Sequence, residues 1–170
     1  MCDNVSLHTF SENDLQYLSM LLCNKEITET LHIEPIPYKD IVPIYEHYWK
    51  NDVDEQNFII LYNNDRAGWL KINGLDGADI AWISMLVIAP EYQRKGIGSA
   101  ALQFAEQYIK DKGFNFVGIK TTKDNIIAKN LYLKCGYRIV SDIPNQSADS
   151  YSRYVFEKNI RVSVPRVTSE

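Results

Sequence analysis

The chain has 170 residues, 45 % apolar and 24 % charged, which is one ordinary domain's length with material for a packed core and excludes wholesale disorder. Eighteen Lys and Arg against 22 Asp and Glu leave a formal net charge of −4, a balance that argues against a general nucleic-acid or anionic-membrane binder but leaves room for a local basic patch. Cys2, Cys23 and Cys135 have no metal-type spacing, so the expectation is reduced thiols and no metal. No apolar run approaches the roughly 18 to 20 residues of a membrane span, and Met1-Cys2-Asp3-Asn4 lacks the basic start and apolar core of a signal peptide, so the expectation is a cytoplasmic protein.

In chain order, Val5 to Thr9 alternates like a first strand, and Ser11 with Asp14 resembles a capping box before a helix whose Leu15, Leu18 and Leu22 share a face. From Cys23 to Tyr38 the pattern decays, with Pro35 and Pro37 as breakers. Val42, Tyr45, Tyr48 and Trp49 predict a short helix that tolerates Pro43 only in its first turn. Phe58 to Tyr62 and Ala67 to Ile72 form a hairpin about Asn63-Asn64-Asp65. Ala78 to Ile88 is almost wholly apolar and predicts a central strand buried on both faces. A helix from Gly98 to Lys112, a strand from Phe116 to Thr121 and a helix from Asn125 to Cys135 follow. Strands at Tyr137 to Val140 and Tyr151 to Lys158 close the sheet, and a tail trails from Asn159 to Glu170. The order is that of a single mixed α/β domain over residues 1–158.

The sharpest local feature is Gln93-Arg94-Lys95-Gly96-Ile97-Gly98-Ser99-Ala100, between the central strand and the strongest helix. Glycines let an oxyanion approach main-chain N–H groups, and the positive end of the helix dipole favours phosphate. Arg94 and Lys95 add countercharge. The plain alternative is a turn with solvated cations. A dinucleotide fingerprint, Gly96-x-Gly98-x-x-Ala101, fits poorly: the unit is not N-terminal, the glycines do not directly follow the strand, and Ile119-Lys120-Thr121 stands where a ribose-binding acid belongs.

The run Leu86-Val87-Ile88-Ala89-Pro90-Glu91-Tyr92-Gln93-Arg94-Lys95-Gly96-Ile97-Gly98 resembles the acetyl-CoA-binding signature of the GNAT superfamily of N-acetyltransferases. Asn125-x-x-Ala128-x-x-Leu131-Tyr132-x-Lys134-x-Gly136-Tyr137 resembles the second cofactor motif of that family, in the expected order. The resemblance implies a central, mostly antiparallel mixed sheet of about six or seven strands with about four flanking helices. It implies that Gln93, Arg94, Lys95, Gly96, Ile97, Gly98 and Ser99 hold the pyrophosphate of acetyl-CoA. The main chain of Met85, Leu86 and Val87 would pair with the pantetheine arm, and a backbone N–H near Leu86 would face the thioester oxygen. Asn125 and Ala128 would contact the cofactor arm, although asparagine is also a common helix N-cap. Tyr132 would be the general acid for the leaving thiolate, although it also falls on the core stripe with Ala128 and Leu131.

The family's strand glutamate has no counterpart: Trp82 stands in its place, Asp79 reads as a turn residue, and Ser84 is a poor base, so no base is assigned. The resemblance places the acceptor between the first helical region and the loop before the last strand. Glu26, Glu29, His32, Glu34, Asp40, Asp142 and Asp149 there would draw a cationic amine or be ordinary solvated surface; His32 reads as a surface histidine. Tyr38, Tyr45, Trp49 and Tyr151 would line the cleft or pack. Three functions stay open: direct acetyl transfer to a small-molecule amine, acetylation of a protein amine, and a non-catalytic acyl-CoA sensor. Monomer or homodimer is left open as well.

Overall fold

The computed structural model describes residues 4–77, 79–145 and 151–161. Strand β1 (Val5–Thr9) leads through a short 3-10 turn into α1 (Leu15–Leu22), α2 (Lys25–Leu31) and α3 (Tyr38–Ile44). A meander follows: β2 (Gln56–Tyr62), β3 (Asp65–Asn73) and β4 (Ala81–Ile88). Then come α4 (Ile97–Asp111), β5 (Phe116–Thr122), α5 (Ile126–Lys134), β6 (Arg138–Ile143) and β7 (Arg153–Asn159). The seven strands lie in the order β1-β2-β3-β4-β5-β7-β6, and only β4 and β5 run parallel. The single mixed α/β domain and mostly antiparallel sheet agree with the sequence reading.

Each sheet face buries its own apolar layer. On one side Ile97, Ala101, Leu102, Ala105 and Ile109 of α4 pack with Ile72, Ile83, Val117 and Ile119. On the other, Leu15, Leu18 and Leu22 of α1 pack with Ile27, Ile41, Trp69 and Val87. The capping-box pair tightens this second layer. The Asp14 carboxylate is 1 % exposed and accepts hydrogen bonds from the Ser11 N–H and hydroxyl at 3.0 Å and from the Arg66 guanidinium at 2.9 and 3.1 Å. Burial alone would raise its pKa; the Arg66 and Ser11 bonds outweigh that and hold it below the ordinary carboxylate value.

Three local expectations are corrected. Residues 25–31, read as a decaying pattern, are a fifth helix. Asn24 caps α2 by accepting from the Glu26 and Ile27 N–H groups at 3.0 and 3.4 Å, and His32 ends it in a left-handed conformation, φ 54°. Glycine or asparagine is the usual residue there, so the stop is hard to read in sequence. Helix α3 starts at Tyr38, which puts Pro43 in its interior. Proline withdraws an N–H from the ladder, and the chain continues as a π-helical turn, Tyr45–Trp49, closed by the Lys50 N–H on the Tyr45 carbonyl at 2.9 Å. Finally, β4 is not buried on both faces throughout: Ser84 is exposed and Met85 and Leu86 are half-buried.

The cause is the pairing. β4 meets β5 only at Ala81–Val117, Trp82–Gly118 and Ile83–Ile119, and beyond Ile83 the two strands part. A bulge at the same point lets Ser84 slip out of register with β3, where Ile72 pairs Ile83 and Lys71 pairs Met85. The Trp82 ring lies across β5, so that a Cβ on Gly118 would come within 2.5 Å of it. Lys120 Nζ lies over the same ring, 4.6 Å from its centroid.

Candidate active site

The parting of β4 from β5 opens a cavity of about 400 Å³ through the sheet. Its walls are Leu86, Val87 and Ile88 of β4, the turn from Tyr92 to Ser99, the α5 face with Asn125, Ala128, Leu131 and Tyr132, and Glu26, Ile27, Thr30 and Leu31 of α2. Of the residues named from sequence, Glu26, Leu86, Val87, Gln93, Arg94, Gly96, Ile97, Gly98, Ser99, Asn125, Ala128 and Tyr132 are thus brought together. Met85 and Lys95 are not among the lining residues. Met85 faces a second cavity across the strand, and Lys95 Nζ lies over the rings of Tyr92 and Tyr62, 5.2 and 6.0 Å from their centroids.

The turn owes its shape to two left-handed residues, Arg94 at φ 62° and Gly96 at φ 79°. Gly96 is the N-cap of α4, and its carbonyl accepts from the Ala100 N–H at 3.1 Å. The first N–H groups of this fifteen-residue helix therefore stand unpaired by the helix itself, next to Arg94. Gln93 Nε2 donates to the Ile88 carbonyl at 3.1 Å, tying the turn to the end of β4. At Gly98 a Cβ would lie 3.2 Å from Leu131 Cδ2, so this glycine lets α4 close on α5.

The direction of each β4 amide follows from alternation in an antiparallel ladder. The Ala89 N–H donates to the Ala67 carbonyl of β3 at 2.9 Å. Residues 89, 87 and 85 therefore spend their main-chain groups on β3, and Leu86 and Ile88 turn theirs toward the side that β5 has left. The Leu86 N–H opens into the cavity; the Ile88 carbonyl is taken by Gln93.

Asn125 caps α5, its Oδ1 accepting from the Ala128 N–H at 3.0 Å. The cap engages only the oxygen, so its amide nitrogen remains a donor on the cavity wall. Tyr132 is 6 % exposed, packed on Phe156 and Tyr137 with centroids at 5.3 and 6.1 Å. Burial pushes its phenol pKa well above the ordinary 10.0, so the hydroxyl keeps its proton at neutral pH.

Sequence reasoning missed α2 as a wall, and it missed Lys134, a second cavity-lining cation at the end of α5. The sequence signal that would have found α2 is Asn24, a good N-cap residue directly ahead of Lys25–Leu31. His32 is no lone surface histidine. Its side chain is 20 % exposed, Nε2 lies 2.9 Å from Asp124 Oδ2, and the ring stacks on Tyr151 at 3.7 Å. The Asp124 carboxyl is held below its ordinary value by Thr122 first and His32 after it. Among the other carboxylates, Glu29 pairs Lys25 at 3.6 Å and Asp142 pairs Lys123 at 2.6 Å; Glu34 and Asp40 are exposed, and Asp149 falls outside the described residues.

The chain is 24 % identical over 150 residues to spermidine N(1)-acetyltransferase of Escherichia coli K12, covering 84 % of this chain and 77 % of that protein. It is 24 % identical over 89 residues to a streptothricin acetyltransferase of Escherichia coli, covering 52 % and 51 %. In fold it is similar to Vibrio cholerae spermidine N-acetyltransferase, solved with CoA and spermine, with TM-score 0.80, 18 % identity and 92 % and 95 % of the two chains covered. The model of the acetyltransferase (GNAT) family matches residues 23–137, well over half the chain. The protein belongs to the GNAT acetyltransferase family and is an acyltransferase that draws on acetyl-CoA.

Proposed function

We propose that the chain moves an acetyl group directly onto the primary amine of a small molecule, with acetyl-CoA and amine bound together. The observation that carries this reading is the cavity through the sheet, which joins an anion-binding turn on one side to the α1–α3 layer on the other. The residues present fit the cofactor: a left-handed turn with Arg94 and free helix amides suits a pyrophosphate, and an unpaired stretch of β4 suits an extended amide-bearing arm. Gln93 to Ser99 would hold the phosphates, Leu86 and Asn125 the arm. Bound acetyl-CoA supplies an acetyl group already activated as a thioester.

The chain's own groups do the rest. The Leu86 N–H presents a fixed donor where negative charge would build on the carbonyl oxygen. The Tyr132 phenol holds a proton at the wall of the cavity, ready for a leaving thiolate. Cys23 and Cys135 line neither cavity, so neither is placed to carry the acetyl group between substrates. With no side-chain base assigned, the amine loses its proton to solvent. Initial-rate kinetics with both substrates varied test the reading: intersecting reciprocal plots are expected, and parallel plots with an acetylated enzyme by mass spectrometry would reject it. The relatives named for spermidine make that polyamine the first acceptor for comparison.

A further inference from the structure

A second cavity, of about 210 Å³, lies across β4 from the first, lined by Leu22, Ile33, Ile36, Ile41, Ile44, Trp49, Trp69, Lys71, Ser84 and Met85. Two features set it directly across β4 from the reaction site. Met85 lines one cavity and the next residue, Leu86, the other, as neighbours on a strand face opposite ways. A single segment also walls both: Ile27, Thr30 and Leu31 border the first, and Ile33 and Ile36 border the second. The chemistry of the lining is one-sided. It is apolar and aromatic, with one cation and, among the described residues, no carboxylate. Lys71 lies 5.3 Å from the Trp49 ring centroid and pairs with Glu55 at 2.7 Å, so that acid is already neutralised.

On the acyl-transfer reading above, we infer that this second cavity receives the body of the acceptor, and that the preferred acceptor is a monoamine with a compact apolar or aromatic body. A polyamine would have to bury a second ammonium among apolar walls where the one nearby carboxylate, Glu55, is already paired with Lys71, and an arylalkylamine brings no second charge. Specificity here is exclusion as much as attraction. The bulge that turns Ser84 outward leaves the mouth beside it open.

The test compares phenethylamine with spermidine on the full chain, by release of free thiol from acetyl-CoA and by calorimetric binding of each amine. Phenethylamine is expected to have at least about tenfold higher kcat/KM. Ser84→Phe, an exposed position that would fill the cavity without disturbing the core, should raise the phenethylamine KM and Kd about tenfold and leave acetyl-CoA affinity unchanged. Lys71→Met frees the Glu55 carboxylate and should shift the preference about tenfold toward spermidine. Preference for spermidine, with Ser84→Phe changing neither amine, would overturn the cavity assignment and leave acetyl transfer standing. Acetyl-CoA binding without turnover of either amine would overturn the transfer reading itself.

Discussion

The two cavities flanking β4 are built by different means. The first is walled largely by consecutive residues, Tyr92 to Ser99 without Lys95, and by one face of one helix, Asn125, Ala128, Leu131 and Tyr132. On the proposed reading its phosphate-binding groups are main-chain amides and a helix terminus, beside the cations Arg94 and Lys134. The second is assembled from six separate places between Leu22 and Met85 and offers almost only side-chain surface. A common cofactor can be held by a compact motif; a particular acceptor is selected by what distant segments bring together. Such a division predicts that variants in the first cavity change acetyl-CoA binding or turnover for every amine, and that variants around the second change amine choice or stability.

The largest effect is expected at Gly96. Gly96→Val forces a β-branched residue to φ 79° and crowds the amides of α4, and acetyl-CoA affinity by calorimetry should fall about 100-fold, or about 2.7 kcal/mol. An affinity near wild type would show that the turn is not the phosphate site. Next is Tyr132→Phe, which should lower kcat about 30-fold while acetyl-CoA affinity stays within about twofold. Because burial raises this phenol above its ordinary 10.0, the wild-type rate should show no loss from its ionisation below that pH; an alkaline limb near neutrality that disappears in the variant would contradict the assignment.

Smaller effects are expected in the scaffold outside both cavities. Gly118→Ala puts a Cβ 2.5 Å from the Trp82 ring and should cost about 2 kcal/mol in urea unfolding. If the ring merely slides, stability will be unchanged and the parting of β4 from β5 does not depend on it. Asp14→Asn weakens the tie between the start of α1 and Arg66 of β3 and should cost about 1.5 kcal/mol near neutral pH. Its folded pKa is depressed, so this contribution is present above the unfolded value of 3.8 and is lost as pH falls through the folded one. Wild type and variant should therefore converge in acid; a gap that persists there would mean the carboxylate charge is not what stabilises the corner. The same variant should alter amine KM more than acetyl-CoA affinity.

Much of the first cavity was legible because its signals are local. A Gly-x-Gly before a helix and an asparagine three and seven residues ahead of Ala128 and Tyr132 carry their meaning in their spacing. The order of elements along the chain was legible for the same reason, through turns and periodicity, whereas the insertion of β7 between β5 and β6 in the sheet was not. Less visible were the elements whose ends break convention. His32 stops α2 in a conformation normally left to glycine, and Pro43 sits inside α3. Of the carboxylates weighed for the acceptor cleft, Glu26 lines the first cavity while Glu29 and Asp142 pair with neighbouring lysines, a matter of distances no sequence spacing encodes.

The sequence by itself determined the domain class, the glycine turn before α4, the capped α5 helix and the position of Tyr132, since each depends on residues within a few turns of one another. Only the tertiary structure decided that β4 leaves β5 after Ile83, that Leu86 rather than Met85 turns its amide to the opening, and that Lys71, Trp49 and Met85 share a cavity. Those features arise from pairing register and from packing between segments far apart in the chain. Strand alternation turns one residue of register into a change of face, and packing alone sets which distant side chains meet.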